Sequence, residues 1–426
     1  MASPVNPPRG MRDFLPADKS RRERVLGIIR SVYSAHGFDE IETPVMEDSA
    51  RLHAGLGGDN EKLAFGVLKR GLTPEDLAAA SDGLDLTDLG LRFDLTVPLA
   101  RFYASHRSEL PAVFRSIQIA PVWRAERPQK GRFRQFVQCD IDIIGEAGQL
   151  AEVELITATA ATLDALGLSG CSIRINDRRI LTSMLDTLGF ASADHDAVVI
   201  TIDKLDKVGA VGVVTELRER GFTDTAIDSL RDFLTRARPE DLIPFGHDGI
   251  LGALPDGVDP ALVAELAALG RAVVDSGSPV DLVFDPFLVR GMGYYTGTIF
   301  EIAHPLSAGS LGGGGRYDGM IGRFLGTDVP AAGFSIGFER IVDLVEPAEG
   351  DKADAVALVY EADVPASTLV ALKTQLIGAG ARVRLERKPR NPKPMLASLA
   401  AAGYSRAAQV TAATTGVGDL DFRPVA

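Results

Sequence analysis

The chain has 426 residues, with 45 Lys and Arg against 58 Asp and Glu, a formal net charge of −13. A composition of 46% hydrophobic and 24% charged residues is that of a soluble globular protein, and the length exceeds one ordinary core, so two or three domains are expected. No apolar run is long enough to span a bilayer, and the Pro-rich Met1 to Gly10 lacks the apolar stretch of a signal peptide. Two cysteines, Cys139 and Cys171, make no disulfide framework and point to a reducing cytoplasm.

Residues 19–36 are expected to be helical, with Val25, Ile28, Ile29 and Val32 at helical spacing and Gly37 as the stop. Phe38 to Val45 is expected as a short strand, at an edge because Pro44 lies near its end. Two strands follow, Val113 to Trp123 and Phe133 to Ile144. The second alternates Phe136, Cys139, Ile141 and Ile143 against Gln138, Asp140 and Asp142. Helical patterns at 178–188, 207–220 and 260–276 mark an insertion over about 165–280, and a further strand pair is expected near 282–302. A polar linker, 346–352, separates a catalytic domain (1–345) from a small α/β domain (353–426). In the latter, strand, helix, strand, helix and strand alternate at 353–359, 366–377, 383–386, 393–402 and 407–410, with a last strand at 419–425.

Four places carry chemistry-bearing residues. The loop Arg124 to Arg134 holds Arg124, Arg127, Lys130, Arg132 and Arg134 with one acid, Glu126; it reads as an anion site or a solvated turn. In Leu91-Arg-Phe-Asp-Leu-Thr-Val-Pro98, Asp94 and Thr96 share a face if the segment is extended, and such a pair could hold an ammonium; a carboxylate capping a local turn is the alternative. Arg290-Gly-Met-Gly-Tyr294-Tyr295 places glycines around a cation and two phenols. Gly312 to Gly315, before Arg316-Tyr-Asp318, lacks the Lys-Ser/Thr of a phosphate loop and the spacing of a dinucleotide loop, which leaves a tight backbone wall beside a flat ligand or a flexible loop. The six histidines and two cysteines show no zinc spacing. The segment Arg382 to Lys393 has six basic residues and one acid, Glu386, and reads as a nucleic-acid patch or a solvated face.

Together these segments resemble the histidyl-tRNA synthetases, class II aminoacyl-tRNA synthetases. Pro8-Arg-Gly-Met-Arg-Asp-Phe-Leu-Pro16 is similar to the family's N-terminal entry, and Gly37-Phe-Asp-Glu-Ile-Glu-Thr-Pro44 to motif 1. Arg124-Ala-Glu126 through Gln138-Cys-Asp-Ile-Asp142 resembles motif 2 with its following strand. Arg290 to Tyr295 and Gly313 to Gly319 resemble the two histidine motifs, and Gly333-Phe-Ser-Ile-Gly-Phe-Glu-Arg340 resembles motif 3. The likeness covers nearly the whole chain, in order.

The resemblance implies an α+β fold: a class II antiparallel sheet flanked by helices, a helical insertion and a C-terminal α/β anticodon-binding-like domain. It implies a cytoplasmic homodimer that uses L-histidine, ATP with Mg²⁺, and tRNA(His). It places Arg124 on the α-phosphate, Glu126 near ATP and Arg340 at the γ-phosphate. Arg290 falls against the reacting carboxylate. Asp94, Leu95, Thr96 and Gln138 fall around the amino group, and Asp142, Tyr294 and Tyr295 around the imidazole. Gly293 stands where the family's pattern has Asp, and the family's final helix is not found after 419–425. A non-charging paralogue is the alternative, either a regulatory subunit of ATP phosphoribosyltransferase or an enzyme that only activates an amino acid. Retention of Arg124, Arg290 and Arg340 favours the ligase.

Overall fold

A computed structural model of the chain describes residues 5–53, 63–128, 131–236, 243–290, 294–307, 309–346 and 354–425. Two compact units emerge, Met1–Arg12 with Val25–Val345, and Asp13–Arg24 with Glu346–Ala426. Lys130, Gly291, Gly293 and the linker residues 347–352 lie outside the described residues.

The first helix, Pro16–Ala35, seals Val25, Ile29 and Tyr33 completely and half-buries Ile28 and Val32. Gly37 ends it with φ +84°, a left-handed conformation that costs a glycine little. The expected strand over 38–45 is reduced to β1 (Asp39–Glu40), which pairs in parallel with one neighbour at the sheet edge. The guanidinium of buried Arg92 is the reason. It donates to the carbonyls of Thr43 (2.8 Å) and Pro44 (3.2 Å), so these groups satisfy a side chain and not a ladder. β2 (Met46–Asp48), β3 (Phe65–Leu68) and β4 (Thr87–Leu91) then form a separate three-stranded sheet.

The long hairpin of β5 (Phe114–Trp123) and β6 (Gln135–Ile144) forms where expected, the latter starting two residues late. β7 (Ser172–Asp177) leads into the insertion, whose helices include Arg178–Thr187, Leu205–Glu219 and Pro260–Asp275, and also His195–Ile202 and Asp224–Arg236. The chain returns through β8 (Ile243–Pro244), β9 (Asp281–Phe284), β10 (Thr298–Ala303), β11 (Gly312–Arg316) and β12 (Ala331–Gly337). One nine-stranded mixed sheet results, in the order β1-β5-β6-β12-β11-β10-β7-β9-β8. The expected pairing near 282–302 does not occur: β7 lies between β9 and β10 and bonds both. The glycine run is strand β11 and not a flexible loop.

In the second unit β13 (Ala355–Tyr360), β14 (Arg382–Arg387), β15 (Arg406–Val410) and β16 (Arg423–Pro424) form a sheet in the order β14-β13-β15-β16, with helices Ala366–Gly378 and Lys393–Ala401. The last strand is shorter than expected. Asp419 ends a short 3-10 turn, where its carboxylate accepts the backbone amides of Thr415 (2.9 Å) and Gly416 (3.1 Å). No helix among the described residues is long and apolar enough to cross a membrane.

Candidate active site

A cavity of about 1120 Å³ opens over the middle of the large sheet. Its floor follows from one row of cross-strand partners. Gln118 of β5 faces Asp140 of β6, then Ser335 of β12, Gly313 of β11, Glu301 of β10 and Arg174 of β7. The alternation in β6 therefore carries a meaning beyond inside and outside. Cys139, Ile141 and Ile143 enter the core, while Gln138, Asp140 and Asp142 are only 7%, 5% and 4% exposed and line the cavity.

The glycines of the floor admit the site's own side chains. A Cβ on Gly333 would lie 2.0 Å from Asp142 Oδ1, one on Gly313 2.8 Å from the Arg290 guanidinium, and one on Gly315 2.9 Å from the Tyr295 ring. Their removal of Cβ lets a carboxylate, a guanidinium and a phenol lie against the sheet.

Some of the groups are acceptors. Asp94 and Thr96 do not share an extended face: Thr96 opens the helix Thr96–His106, and Val97 N donates to Asp94 Oδ1 at 3.2 Å. The carboxylate thus supports a helix start through one oxygen, while Asp94 Oδ2 is buried with no partner among the described residues. Gln138 Oε1 is likewise buried and unpaired. Such acceptors cost about 1–3 kcal/mol each, a debt that an incoming donor removes. Leu95 is wholly buried in the core, its carbonyl accepting from Gln118 Nε2 at 3.0 Å. Asp142 accepts from the Tyr317 hydroxyl at 2.6 Å, and Tyr294 packs between Tyr295 (centroids 4.7 Å) and Tyr317 (5.9 Å).

Burial pushes Asp94 up to about 6, although amides and the Arg124 charge draw it down. Burial also pushes Asp142 up to about 7, against the bond from Tyr317. Asp140 is raised as well, by burial and by the Asp142 charge. Three buried carboxyls lie close enough to raise one another, and a cation would relieve them.

The same cavity also holds donors. Arg124 Nε bonds Phe93 O at 3.0 Å and its guanidinium lies 5.0 Å from the Phe136 ring centre. Arg340 bonds the carbonyl of Ser310. Neither has a carboxylate in salt-bridge distance among the described residues. Burial, then the nearby charge of Arg132, makes Arg340 easier to deprotonate than an ordinary arginine. Glu126 sits 3.5 Å from Arg132. Arg290 also lines the cavity, bonded at 2.9 Å to Glu301, which also neighbours Arg174 at 3.7 Å. The arrangement offers acceptors for an ammonium and guanidinium groups for a polyanion and a carboxylate.

The profile of the family described as histidyl-tRNA synthetase matches residues 10–341. The chain belongs to the histidyl-tRNA synthetase family. A histidine–tRNA ligase of Leifsonia xyli subsp. xyli is 63% identical over 100% of this chain and 99% of its own length. A probable histidine–tRNA ligase of Tropheryma whipplei is 45% identical over 90% of each. Among solved structures, the histidyl-tRNA synthetase of Nostoc sp. PCC 7120 aligns with TM-score 0.77 at 26% identity, covering 100% of this chain and 95% of that one. A Bacillus halodurans chain titled ATP phosphoribosyltransferase regulatory subunit/histidyl-tRNA synthetase aligns at TM-score 0.76 over 97% and 100%; at 20% identity it speaks to fold alone. The fold is thus the α+β class II architecture that the resemblance implies, with this family's large sheet and separate C-terminal sheet unit.

Of the residues singled out from sequence, Thr96, Arg124, Glu126, Gln138, Asp142, Arg290, Tyr294, Tyr295 and Arg340 line the one cavity; Asp94 and Leu95 lie behind its wall. Sequence reasoning gave no role to Tyr317, Glu301, Ser335 or Asp140, although Asp140 stood on the alternating face of β6. Glu301 carried a signal, a lone acid inside the apolar run Ile299-Phe-Glu-Ile302. Tyr317 had only its place after the glycine run.

Proposed function

We propose that this cavity forms histidyl-adenylate from L-histidine and ATP and passes the histidyl group to tRNA(His). Family membership makes the protein a histidine–tRNA ligase; the division of labour is our reading. The observation that carries it is that Gln138 Oε1, a buried acceptor without a partner among the described residues, lines one cavity with Arg124 and Arg340, which have no salt bridge among those residues, while Asp94 Oδ2, equally unpartnered there, lies behind the wall.

The ammonium of histidine takes the acceptors beside Thr96. Asp142 and Tyr295 hydrogen-bond the imidazole, with Tyr294 packed beside them. A site that bonds both ring nitrogens rejects apolar amino acids, because its buried polar groups would be left unpaired. Arg124 holds the α-phosphate, Arg340 the γ-phosphate, and Arg290 steadies the amino-acid carboxylate against the α-phosphorus. The carboxylate oxygen forms the new P–O bond, and the bond to pyrophosphate breaks with its electron pair. Positioning and fixed positive charge do most of the work. A tRNA 3′-terminal hydroxyl then attacks the acyl carbon and AMP departs. Mg²⁺ needs only one or two carboxylates when it arrives on ATP; Glu126 and Glu301 are the cavity carboxylates that could supply them, and the ion would draw off charge on the leaving pyrophosphate.

We further propose a homodimer and a cytoplasmic site of action. Val45, Met46, Leu68 and Leu89, on and beside the three-stranded sheet, remain 39–61% exposed and support the dimer. The exposed Arg382, Arg384, Arg387, Lys388 and Arg390 support tRNA contact by the second unit. A single-turnover mixture of enzyme, α-labelled ATP and histidine tests the reading: labelled histidyl-adenylate should accumulate without tRNA and vanish on its addition. Labelled ADP in its place would contradict the reading.

A further inference from the structure

We propose that Asp140, a residue to which no role has been given so far, is a positioning residue that fixes the orientation of the Gln138 side-chain amide. The inference rests on the reading that Gln138 receives the ammonium of histidine. Gln138 Nε2 lies 3.1 Å from Asp140 Oδ2, 3.4 Å from Oδ1 and 3.3 Å from Ser335 Oγ. All three contacts gather on the amide nitrogen, and the amide oxygen is left buried without a partner among the described residues.

A glutamine amide is nearly symmetric in shape, and only its surroundings decide which end points where. In its ionised form the Asp140 carboxylate accepts and does not donate. Turned over, the amide would press its oxygen against both oxygens of Asp140, in a site already crowded with negative charge. Asp140 therefore makes the two orientations unequal, and the favoured one leaves a bare acceptor for the ammonium. Ser335, the direct cross-strand partner of Asp140 on β12, gives the nitrogen a second acceptor and holds the pair in register. Position on the strand makes this possible: residues 138, 140 and 142 follow at the two-residue period, so all three meet on the cavity face. Burial and the charge of Asp142 raise the Asp140 carboxyl, while hydrogen bonds from Ser335 and Gln138 lower it.

The test compares three ligands that share the imidazole: L-histidine, histamine, which keeps the ammonium but lacks the carboxylate, and imidazolepropionate, which lacks the ammonium. Binding to the full-length protein is measured by calorimetry. Asp140→Ala should weaken histidine and histamine by about 10- to 100-fold, the range expected for a lost hydrogen bond to a charged group, and leave imidazolepropionate within about twofold. The KM for histidine should rise while that for ATP stays put. Asp140→Asn, which keeps the volume but no longer dictates the amide's orientation, should show the same selectivity with a smaller loss, and it carries the test if the alanine variant does not fold. In a Gln138→Ala background either change should add little, since the two act as a unit. Equal weakening of all three ligands, no weakening of any, or a full additional loss in the Gln138→Ala background would overturn the role of Asp140. Gln138→Ala measured alone separates the two layers: if it leaves histamine unaffected, the reading of Gln138 fails and not merely that of its neighbour.

Discussion

Adding one methyl at Gly333 should damage recognition of histidine while sparing ATP. Gly333 lies opposite Asp142 on the neighbouring strand, and its Cβ would fall 2.0 Å from Asp142 Oδ1, 2.9 Å from Cγ and 3.2 Å from Tyr317 Cε1. The first distance is more than an ångström too short, and both crowded groups are side chains, so they yield before the strand does. The carboxylate must swing away from the Tyr317 hydroxyl, which now lies 2.6 Å from it. A hydrogen bond to a charged group contributes about 1.5–3 kcal/mol, so Gly333→Ala should lower kcat/KM for histidine by roughly 10- to 150-fold. The assay is histidine-dependent ATP–pyrophosphate exchange with each substrate varied in turn. The KM for histidine should carry the loss, with the KM for ATP within about twofold. A folded variant with an unchanged KM for histidine would refute the view that the glycines exist to seat these side chains.

Arg290→Ala should reduce adenylate formation by about 10²–10³-fold, as for loss of one preorganised charge, with the melting temperature little changed; near-normal exchange would remove Arg290 from the chemistry. Low pH should depress kcat/KM for histidine steeply. Asp142 ionises at about 7 and Asp94 at about 6, each neutral below that value and anionic above it, so the logarithmic acid limb should exceed a slope of one; a single-proton limb would show that only one of them must be charged. Neutralising Arg387, Lys388 and Arg390 together should leave exchange intact and flatten the salt dependence of tRNA binding by about 0.7–0.9 per lost phosphate contact. Superimposable salt plots would mean that this face does not touch RNA.

Much of this site was legible in the chain because its polar residues break apolar patterns. Gln138, Asp140 and Asp142 alternate with core residues, and that period alone puts them on one face of β6. Pairing across the sheet was less legible. Nothing local says that β7 would slip between β9 and β10, since that depends on the helical insertion returning the chain beside its own starting strand. Arg92 shows a second limit: one buried guanidinium took the carbonyls that would have extended β1, and a side chain recruited from another segment leaves no mark on 38–45 itself. Asp94 shows a third. Its two oxygens differ, one accepting at a helix start and one without a partner among the described residues, so the capping reading accounts for only one of them. The glycine run could be recognised as a close approach, but what approaches it, Arg290, Tyr295 and Asp142, is contributed by distant segments.

The most direct measurement is ATP–pyrophosphate exchange with each proteinogenic amino acid offered alone, followed by charging of tRNA(His) with whichever supports it. The grouping of Asp94, Gln138 and Asp142 with Arg124 and Arg340 predicts exchange with histidine only, and transfer of that histidine to the tRNA. Exchange with a different amino acid, or none with histidine, would contradict it.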